Sequence, residues 1–229
     1  MFINQEEIEL SDVFLKNGYI IKDIVNRTSL DIVKSKLITA CNKSNLYPPN
    51  INDECILTLS HDHIPIKELN SFRLFIINEL SKDKDLRSHY YDIFKYYTDI
   101  IIGNELAMQK KLNLSIQMPN DKSSLLSIHA DTWSGDSPFE AVCWLPMVDC
   151  TRSMCMFILP AFNYHEFNNV YKKIKTKNSD TLFDALKDKL HWIEIKYGQI
   201  LIFNQNLPHG NIINEEKFTR WSFNCRFKS

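Results

Sequence analysis

The sequence predicts an α+β protein in which helices come first and a β-sandwich or open barrel follows. Three observations support this prediction. Apolar residues recur at helical spacing over 1–110, short alternating segments fill 111–229, and no linker rich in Gly, Ser or Pro separates the two parts. We therefore expect a single domain spanning 1–229, with a mainly helical N-terminal part and a β core after it.

The N-terminal part reads as several helices and one strand. Asn17-Gly18 is a stop signal for the first helix, and Thr28 is a plausible N-cap for the second. The last helix is rich in aromatic residues, which at helical spacing indicate core packing. The elements expected here are helices at 6–16, 67–80 and 86–108, a helix capped by Thr28, and a strand at 19–24.

The second part changes to the alternating pattern of strands. A helical insertion is expected at 164–190, between two of these strands. The expected strands are 112–118, 125–128, 139–148, 154–159, 192–195, 199–203, 210–213 and 219–227.

Composition excludes several classes of function. The net charge of -1 gives no electrostatic reason to expect a nucleic-acid partner. The six cysteines include no C-x-x-C pair, which argues against zinc-finger or thioredoxin-type chemistry and fits a reducing cytoplasm. No apolar run approaches the roughly 20 residues of a membrane span, and the N-terminal residues are too polar for a secretory signal.

Two histidines and one aspartate form the most informative pattern in the chain. His129 and Asp131 are two residues apart at the end of a predicted strand, so their side chains share one face. His209 follows the later strand at 199–203, and Pro208 restricts the backbone just before it. Two imidazoles and one carboxylate can hold one face of Fe(II) and leave the opposite face open.

The last predicted strand alternates between a polar and an apolar face. The polar face carries Arg220, Ser222, Asn224 and Arg226. The opposite face carries Trp221, Phe223, Cys225 and Phe227. Two arginines would be costly in a dry core, so this face is expected to line a wet cavity that holds an anion. A guanidinium matches a carboxylate through two parallel charge-assisted hydrogen bonds, and Ser222 can add a further donor to those of Arg220.

The segments 125–140 (LLSIHADTWSGDSPFE) and 144–149 (WLPMVD) resemble Fe(II)/2-oxoglutarate-dependent dioxygenases of the phytanoyl-CoA-dioxygenase-like branch. They are most similar to bacterial members encoded among surface-carbohydrate genes. The resemblance covers about 112–229 and implies a jelly-roll core, the cupin-like double-stranded β-helix, with the N-terminal helices packed on it. The chain departs from many relatives at Pro160-Ala161-Phe162-Asn163, where they have Pro-Gly-Ser-His.

The resemblance also implies residue roles and a reaction. Arg220 would bind the C5 carboxylate of 2-oxoglutarate, with Ser222 beside it and Gln117 as a weaker match for a co-substrate contact. The carboxylate of Asp131 favours hydroxylation or a related C–H oxidation over halogenation. The reaction would consume O2 and release succinate and CO2. The implied Fe(II) ligands are His129, Asp131 and His209.

The substrate is expected to be a small molecule, with a carbohydrate or nucleotide-sugar suggested only by the resemblance. Trp133 could stack on a sugar ring and Asp136 could bind hydroxyls, although their loop reads equally well as an ordinary solvated turn. Asn224 and Arg226 share the face of Arg220. Arg226 could meet an anionic substrate group, or it could pair with a buried carboxylate.

Other interpretations stay open. A cupin-like isomerase or lyase could use Zn, Mn or Ni at the same ligands, with Arg220 binding the substrate carboxylate. A jelly-roll that only binds carbohydrate is a third possibility. His61-Asp62-His63 is a rival metal cluster, interpreted as a surface loop because no third ligand can be placed. The apolar helices could pack on the barrel or on a second copy, so a homo-oligomer is possible.

Overall fold

The computed structural model describes residues 4–175 and 178–229. Five helices precede the main β region, and two more lie within it. The expected helical insertion at 164–190 forms α6 and α7, while Thr176 and Lys177, which fall in it, lie outside the described residues. The helices are α1 (Gln5–Asn17), α2 (Arg27–Asn42), α3 (Asp53–Thr58), α4 (Leu69–Ser81), α5 (Leu86–Ile101), α6 (Tyr164–Lys173) and α7 (Ser179–Leu186).

Local chemistry sets the ends of these helices. Asn4 and Glu7 form a reciprocal capping box at the start of α1, and Gly18 ends that helix in the left-handed conformation. The predicted N-cap of α2 was wrong. Asn26 caps the helix instead, because its side-chain oxygen accepts the backbone N–H of Ser29.

The predicted extent of α5 was also wrong at its C-terminal end. The helix stops at Ile101, seven residues before the predicted end at Met108, and Gly103 then takes a positive φ of 134°. This conformation breaks the helical path at little cost for glycine. The freed residues Ala107 and Met108 pair with the last strand instead.

The strands form two antiparallel sheets. The larger sheet has the order β1-β7-β4-β9-β2, and β3 also pairs with β9. The smaller sheet has the order β6-β5-β8. This architecture confirms the predicted jelly-roll class with helices packed on it. The strands are β1 (Tyr19–Asp23), β2 (Ala107–Met108), β3 (Asn113–Gln117), β4 (Ala141–Pro146), β5 (Met156–Ile158), β6 (His191–Ile193), β7 (Gln199–Asn204), β8 (His209–Asn211) and β9 (Arg220–Lys228).

The predicted strand at 125–128 does not form. Leu126 is 53% exposed, and its N–H donates to the side-chain oxygen of Asn211 rather than to a backbone carbonyl. A side chain that occupies this donor interrupts the regular ladder of a strand pair. Directly after this segment, His129 forms an isolated β-bridge with His209, and this bridge lies at the candidate site.

The core lies between the larger sheet and the helices. Phe72 of α4 meets the ring of Trp221 edge-on, and Tyr90 of α5 does the same with Phe223. The Tyr90 hydroxyl donates to the carbonyl of Cys143, so even its polar end is satisfied in the core. The apolar face of β9 therefore packs against helices, as its alternation predicted, and its polar face turns toward the interior of the jelly-roll.

All six cysteines are free, and Cys143 and Cys225 are buried opposite one another on neighbouring strands. Within residues 4–175 and 178–229, no helix is long and apolar enough to cross a membrane.

Candidate metal centre

His129, Asp131 and His209 converge on one point. Their candidate ligand atoms all lie within 4.8 Å of one another. The Nε2 atoms of His129 and His209 are 3.6 and 3.9 Å from the same oxygen, Oδ1 of Asp131. The His129 side chain is about one-third exposed and that of His209 is buried, so the site is open to solvent on the His129 side.

The main chain holds this arrangement. The N–H of His129 donates to the carbonyl of His209 at 2.9 Å, and the N–H of His209 returns a bond to the carbonyl of His129 at 2.7 Å. The N–H of Asp131 donates to the carbonyl of Gln205, which follows β7. Backbone bonds thus fix all three residues independently of any ion.

Glycine at position 210 permits the close approach of the two chain segments. A Cβ there would lie 2.6 Å from the carbonyl oxygen of Leu126 and 2.8 Å from the ring of Phe157. Because the nearer atom belongs to backbone, a side chain would push away the segment that leads to His129.

Both histidines are held in the form that suits metal binding. The Nδ1 atom of His129 lies 2.7 Å from the carbonyl of Ser127, and that of His209 lies 2.9 Å from the carbonyl of Leu207. A carbonyl only accepts, so each Nδ1 carries the proton. Each Nε2 is then left as a lone-pair donor pointing at the shared centre.

The surroundings shift the protonation of all three side chains. Burial and the nearby His129 lower the pKa of His209 to about 4. Burial would raise the pKa of Asp131, but His129, His209 and Arg226 together lower it to about 2. Burial would lower the pKa of His129, yet its contacts with Asp131 and the Ser127 carbonyl raise it. At neutral pH, Asp131 is therefore ionised and His209 neutral.

Arg226 pairs with carboxylates of the chain itself, which is one of the two roles that the sequence left open. Its guanidinium lies 2.9 Å from Oδ2 of Asp131 and 3.3 Å from Oδ2 of Asp136. Its Nε donates to the side-chain oxygen of the buried Gln205 at 2.9 Å.

The triad opens into a cavity of about 170 Å³ within the jelly-roll. Its polar wall comes mainly from β3 and β9, and its apolar wall from β4, β5 and β7. Arg220 is part of the same wall as the triad. The remaining lining residues are Asn113, Ser115, Leu126, Val142, Trp144, Met156, Phe203, Gly210, Asn211, Asn224 and Arg226.

Arg220 is a buried cation with no counter-charge among the described residues. It is 3% exposed, and burial lowers its pKa. Its guanidinium makes only two long contacts, to the carbonyl of Met154 at 3.3 Å and to the Ser115 hydroxyl at 3.5 Å. Its Nε has no hydrogen-bond partner. A buried, incompletely bonded guanidinium is a ready receptor for an anion.

The other predicted co-substrate residues lie beside Arg220 but are absent from the cavity wall as described. Ser222 follows on the same face of β9, and its buried hydroxyl has no hydrogen-bond partner. Gln117 lies opposite Arg220 in the β3–β9 pairing. Its amide nitrogen donates to the carbonyl of Ile212, and its buried Oε1 is unpaired.

The predicted substrate residues lie in different surroundings. Asn224 lines the cavity and accepts a hydrogen bond from Asn113 at 2.8 Å. Trp133 is 46% exposed and stacks on Phe167 of α6, with ring centroids 5.2 Å apart. Asp136 pairs with Arg226, as described above.

The sequence reasoning missed several polar residues of the site. Asn113 and Ser115 lie four and two residues before Gln117, so the alternation of a strand could have identified them. Asn211 and Gln205 carried no such signal, because each acts through contacts with distant parts of the chain.

The rival cluster at His61 does not form a metal site. The Nδ1 of His61 bonds to the Thr219 hydroxyl at 2.9 Å, and His63 packs against the ring of Tyr47. In the part of the chain that the structure describes, His129, Asp131 and His209 are the group found with metal-ligand geometry.

No family model and no curated protein matches the chain. Solved structures do match it. A non-heme monooxygenase, the ThoJ–Ni complex, is 13% identical with a TM-score of 0.59, covering 96% of this chain and 77% of that one. EctD from S. alaskensis with bound Fe is 15% identical with a TM-score of 0.55, covering 99% and 77%. HygX from Streptomyces hygroscopicus with nickel and 2-oxoglutarate bound is 11% identical with a TM-score of 0.54, covering 99% and 87%. At these identities the likeness shows the fold.

Proposed function

We propose that residues 1–229 form a single-domain, Fe(II)- and 2-oxoglutarate-dependent oxygenase of the phytanoyl-CoA-dioxygenase-like branch. One observation carries this proposal. The buried and incompletely hydrogen-bonded guanidinium of Arg220 lines the same small cavity as the triad of His129, Asp131 and His209. Three metal donors on one side of the cavity and a cationic side chain on the other suit a dicarboxylate, because one carboxylate can bind the metal while the other binds the arginine.

The residues present fit both groups. Two neutral imidazole nitrogens and one carboxylate oxygen face a common point, which is the donor set of non-haem Fe(II) sites. The cavity of about 170 Å³ has room for a small dicarboxylate. The structures of HygX with nickel and 2-oxoglutarate and of EctD with Fe share this fold and support the assignment.

The chain's own residues would bind and orient the reactants. His129, Asp131 and His209 would hold the metal, while Arg220 would anchor the far carboxylate of 2-oxoglutarate with two charge-assisted hydrogen bonds. The unpaired hydroxyl of Ser222 is available as a further donor on the same strand face. Bound Fe(II), 2-oxoglutarate and O2 supply the oxidation of a substrate C–H bond, with release of succinate and CO2.

The apolar walls of the cavity have a separate role, because they exclude water from the reactants. Val142, Trp144 and Phe203 line it from β4 and β7, which lie together with β9 in the larger sheet. A dry wall strengthens the attraction between Arg220 and an anionic ligand, since fewer water molecules screen the charges. It also limits side reactions of activated oxygen with solvent.

We further propose a small-molecule substrate, with a carbohydrate or nucleotide-sugar as the first candidate, and a cytoplasmic location that fits six free cysteines. Trp133 lies two residues after Asp131, and its exposed ring can stack on a substrate bound beside the metal. Asn224, on the cavity wall, can donate to a substrate oxygen.

The test is anaerobic addition of Fe(II) and then 2-oxoglutarate to the full chain. Chelation at open metal positions should give a weak absorption band at about 500 nm, and admission of air should release succinate. Arg220→Met should lose the band at 2-oxoglutarate concentrations that saturate the wild type. Metal binding without a band or succinate would instead favour the isomerase or lyase, and no metal binding would leave only a carbohydrate-binding role.

A further inference from the structure

Arg226 lines the cavity and also contacts a candidate metal ligand, Asp131. We propose that Arg226 is a positioning residue that limits Asp131 to a single donor oxygen and thereby keeps three metal positions free. This inference rests on the proposed metal site of His129, Asp131 and His209.

The two oxygens of Asp131 have different partners. Oδ1 is the atom within 3.6 and 3.9 Å of the two histidine Nε2 atoms. Oδ2 is held by the guanidinium of Arg226 at 2.9 Å, the distance of a strong charge-assisted hydrogen bond. For Oδ2 to reach the metal, the carboxylate would have to rotate out of this ion pair.

Arg226 is itself fixed from a second side. Its Nε donates to Oε1 of Gln205 at 2.9 Å, and Gln205 is buried. The side-chain amide of Gln205 donates in turn to Glu140 at 3.2 Å. The backbone carbonyl of Gln205 also accepts the N–H of Asp131. One residue therefore positions both the main chain of Asp131 and the arginine that holds its side chain.

The number of donor oxygens matters because the proposed reaction needs open positions. Carboxylates bind metal ions through one or two oxygens. In an octahedral site, two histidines and one oxygen leave three positions, enough for a chelating co-substrate and O2. A chelating Asp131 would occupy a fourth position, and the co-substrate and O2 would then compete for the remaining two.

Charge and positioning predict different changes at the metal. If Arg226 acted only as a nearby cation, its removal would relieve repulsion and tighten the binding of a divalent ion without changing the number of its ligand atoms. If it limits Asp131 to one donor oxygen, its removal frees the second oxygen to bind, so the coordination of the ion changes. The spectrum of the bound ion therefore separates the two roles.

The experiment is titration of the metal-free full chain with Co(II), following the ligand-field bands and the Kd. Arg226→Met removes every donor, and Arg226→Lys retains one charged donor. Arg73→Met on α4 is the matched control, because Arg73 donates a hydrogen bond to Asn70 in the same helix and is not among the residues that line the cavity of the triad. We expect Arg226→Met to alter the ligand-field bands, because the second oxygen of Asp131 joins the ligand atoms of the metal. Arg226→Lys should restore the wild-type bands, and the control should match the wild type.

The outcomes separate this inference from the proposed function. No Co(II) binding by the wild type would overturn the metal site itself. Unchanged bands in Arg226→Met, whether its Kd rises or falls, would overturn the positioning role and leave the metal site standing. Thermal unfolding of each metal-free variant checks its fold. If Arg226→Met does not fold, X-ray absorption of the Co(II)-loaded wild type decides, because a chelating carboxylate there would contradict the proposal.

Discussion

Replacing Arg220 with methionine should make the metal-free protein more stable while abolishing its response to 2-oxoglutarate. The side chain is 3% exposed, has no ionic partner among the described residues and leaves Nε unbonded. Removing a charge from water costs several kcal/mol, and a buried cation without a counter-ion recovers little of it. Methionine has a similar length and no charge to desolvate.

The size of the effect follows from the contacts of Arg220. Its two hydrogen bonds, at 3.3 and 3.5 Å, are long and contribute at most about 1 kcal/mol each. Against a desolvation cost of several kcal/mol, Arg220→Met should gain about 2 kcal/mol of unfolding free energy. For a chain of this length that gain raises Tm by roughly 4–8 °C. Losing two charge-assisted hydrogen bonds to the ligand, about 1.5–3 kcal/mol each, should weaken 2-oxoglutarate binding at least about 100-fold.

Scanning calorimetry measures both effects in one series. The wild type with Ni(II) should gain about 2.7 kcal/mol at a ligand concentration of 100 times Kd, and the variant should show no shift at that concentration. Arg73→Met should behave like the wild type in both measurements. A lower Tm for metal-free Arg220→Met would show that the chain already compensates this charge. A retained shift with 2-oxoglutarate would remove Arg220 from co-substrate binding.

Three further predictions concern the metal centre. His209→Gln should weaken Co(II) binding by about 100-fold, because it removes one proposed ligand, and four ligands together supply about 10–16 kcal/mol in zinc-finger sites. Calorimetric titration measures the Kd, and an unchanged Kd would exclude His209 as a ligand. The Kd for the metal should rise about tenfold for each pH unit below the raised pKa of His129, because the metal must displace the proton from its imidazole. His209, with a pKa of about 4, stays neutral above pH 5. A Kd independent of pH between 5 and 7 would contradict this prediction. Gly210→Ala should lower the free energy of unfolding by about 1–3 kcal/mol and weaken Co(II) binding, because the new Cβ would meet the Leu126 carbonyl. Denaturant unfolding measures the loss of stability, and an unchanged stability would show that the segment containing Leu126 can move aside.

Residue alternation gave reliable predictions where one face of an element meets the core. The apolar residues of β9 pack on α4 and α5, and its polar residues face the cavity, because a strand has only two faces and burial distinguishes them. The rule failed at 125–128, where apolar residues suggested a strand but Leu126 is exposed at the cavity mouth. His129 and Asp131 nevertheless meet at one centre, with Asp131 at the start of a short 3-10 helix, Asp131–Ser134.

Contacts between distant residues could not be predicted from local patterns. Nothing near Arg226 in the chain indicates that it meets Asp131 rather than a ligand, since the pair depends on how β9 and the loop after Ala130 are brought together. The role of Gln205 has the same origin. The short helix α3, of six residues, was missed because it is too brief to show a helical period.

The reciprocal main-chain bonds between His129 and His209 have a consequence for how the protein handles metal loss. Zinc fingers unfold when their ion is withdrawn, because the ion is what gathers the ligands. Here the peptide backbone gathers two of them, and Gln205 secures the third. Stripping the ion with a chelator should leave an intact template, so reloading would be a simple rebinding event, and metals of similar size could exchange without any refolding.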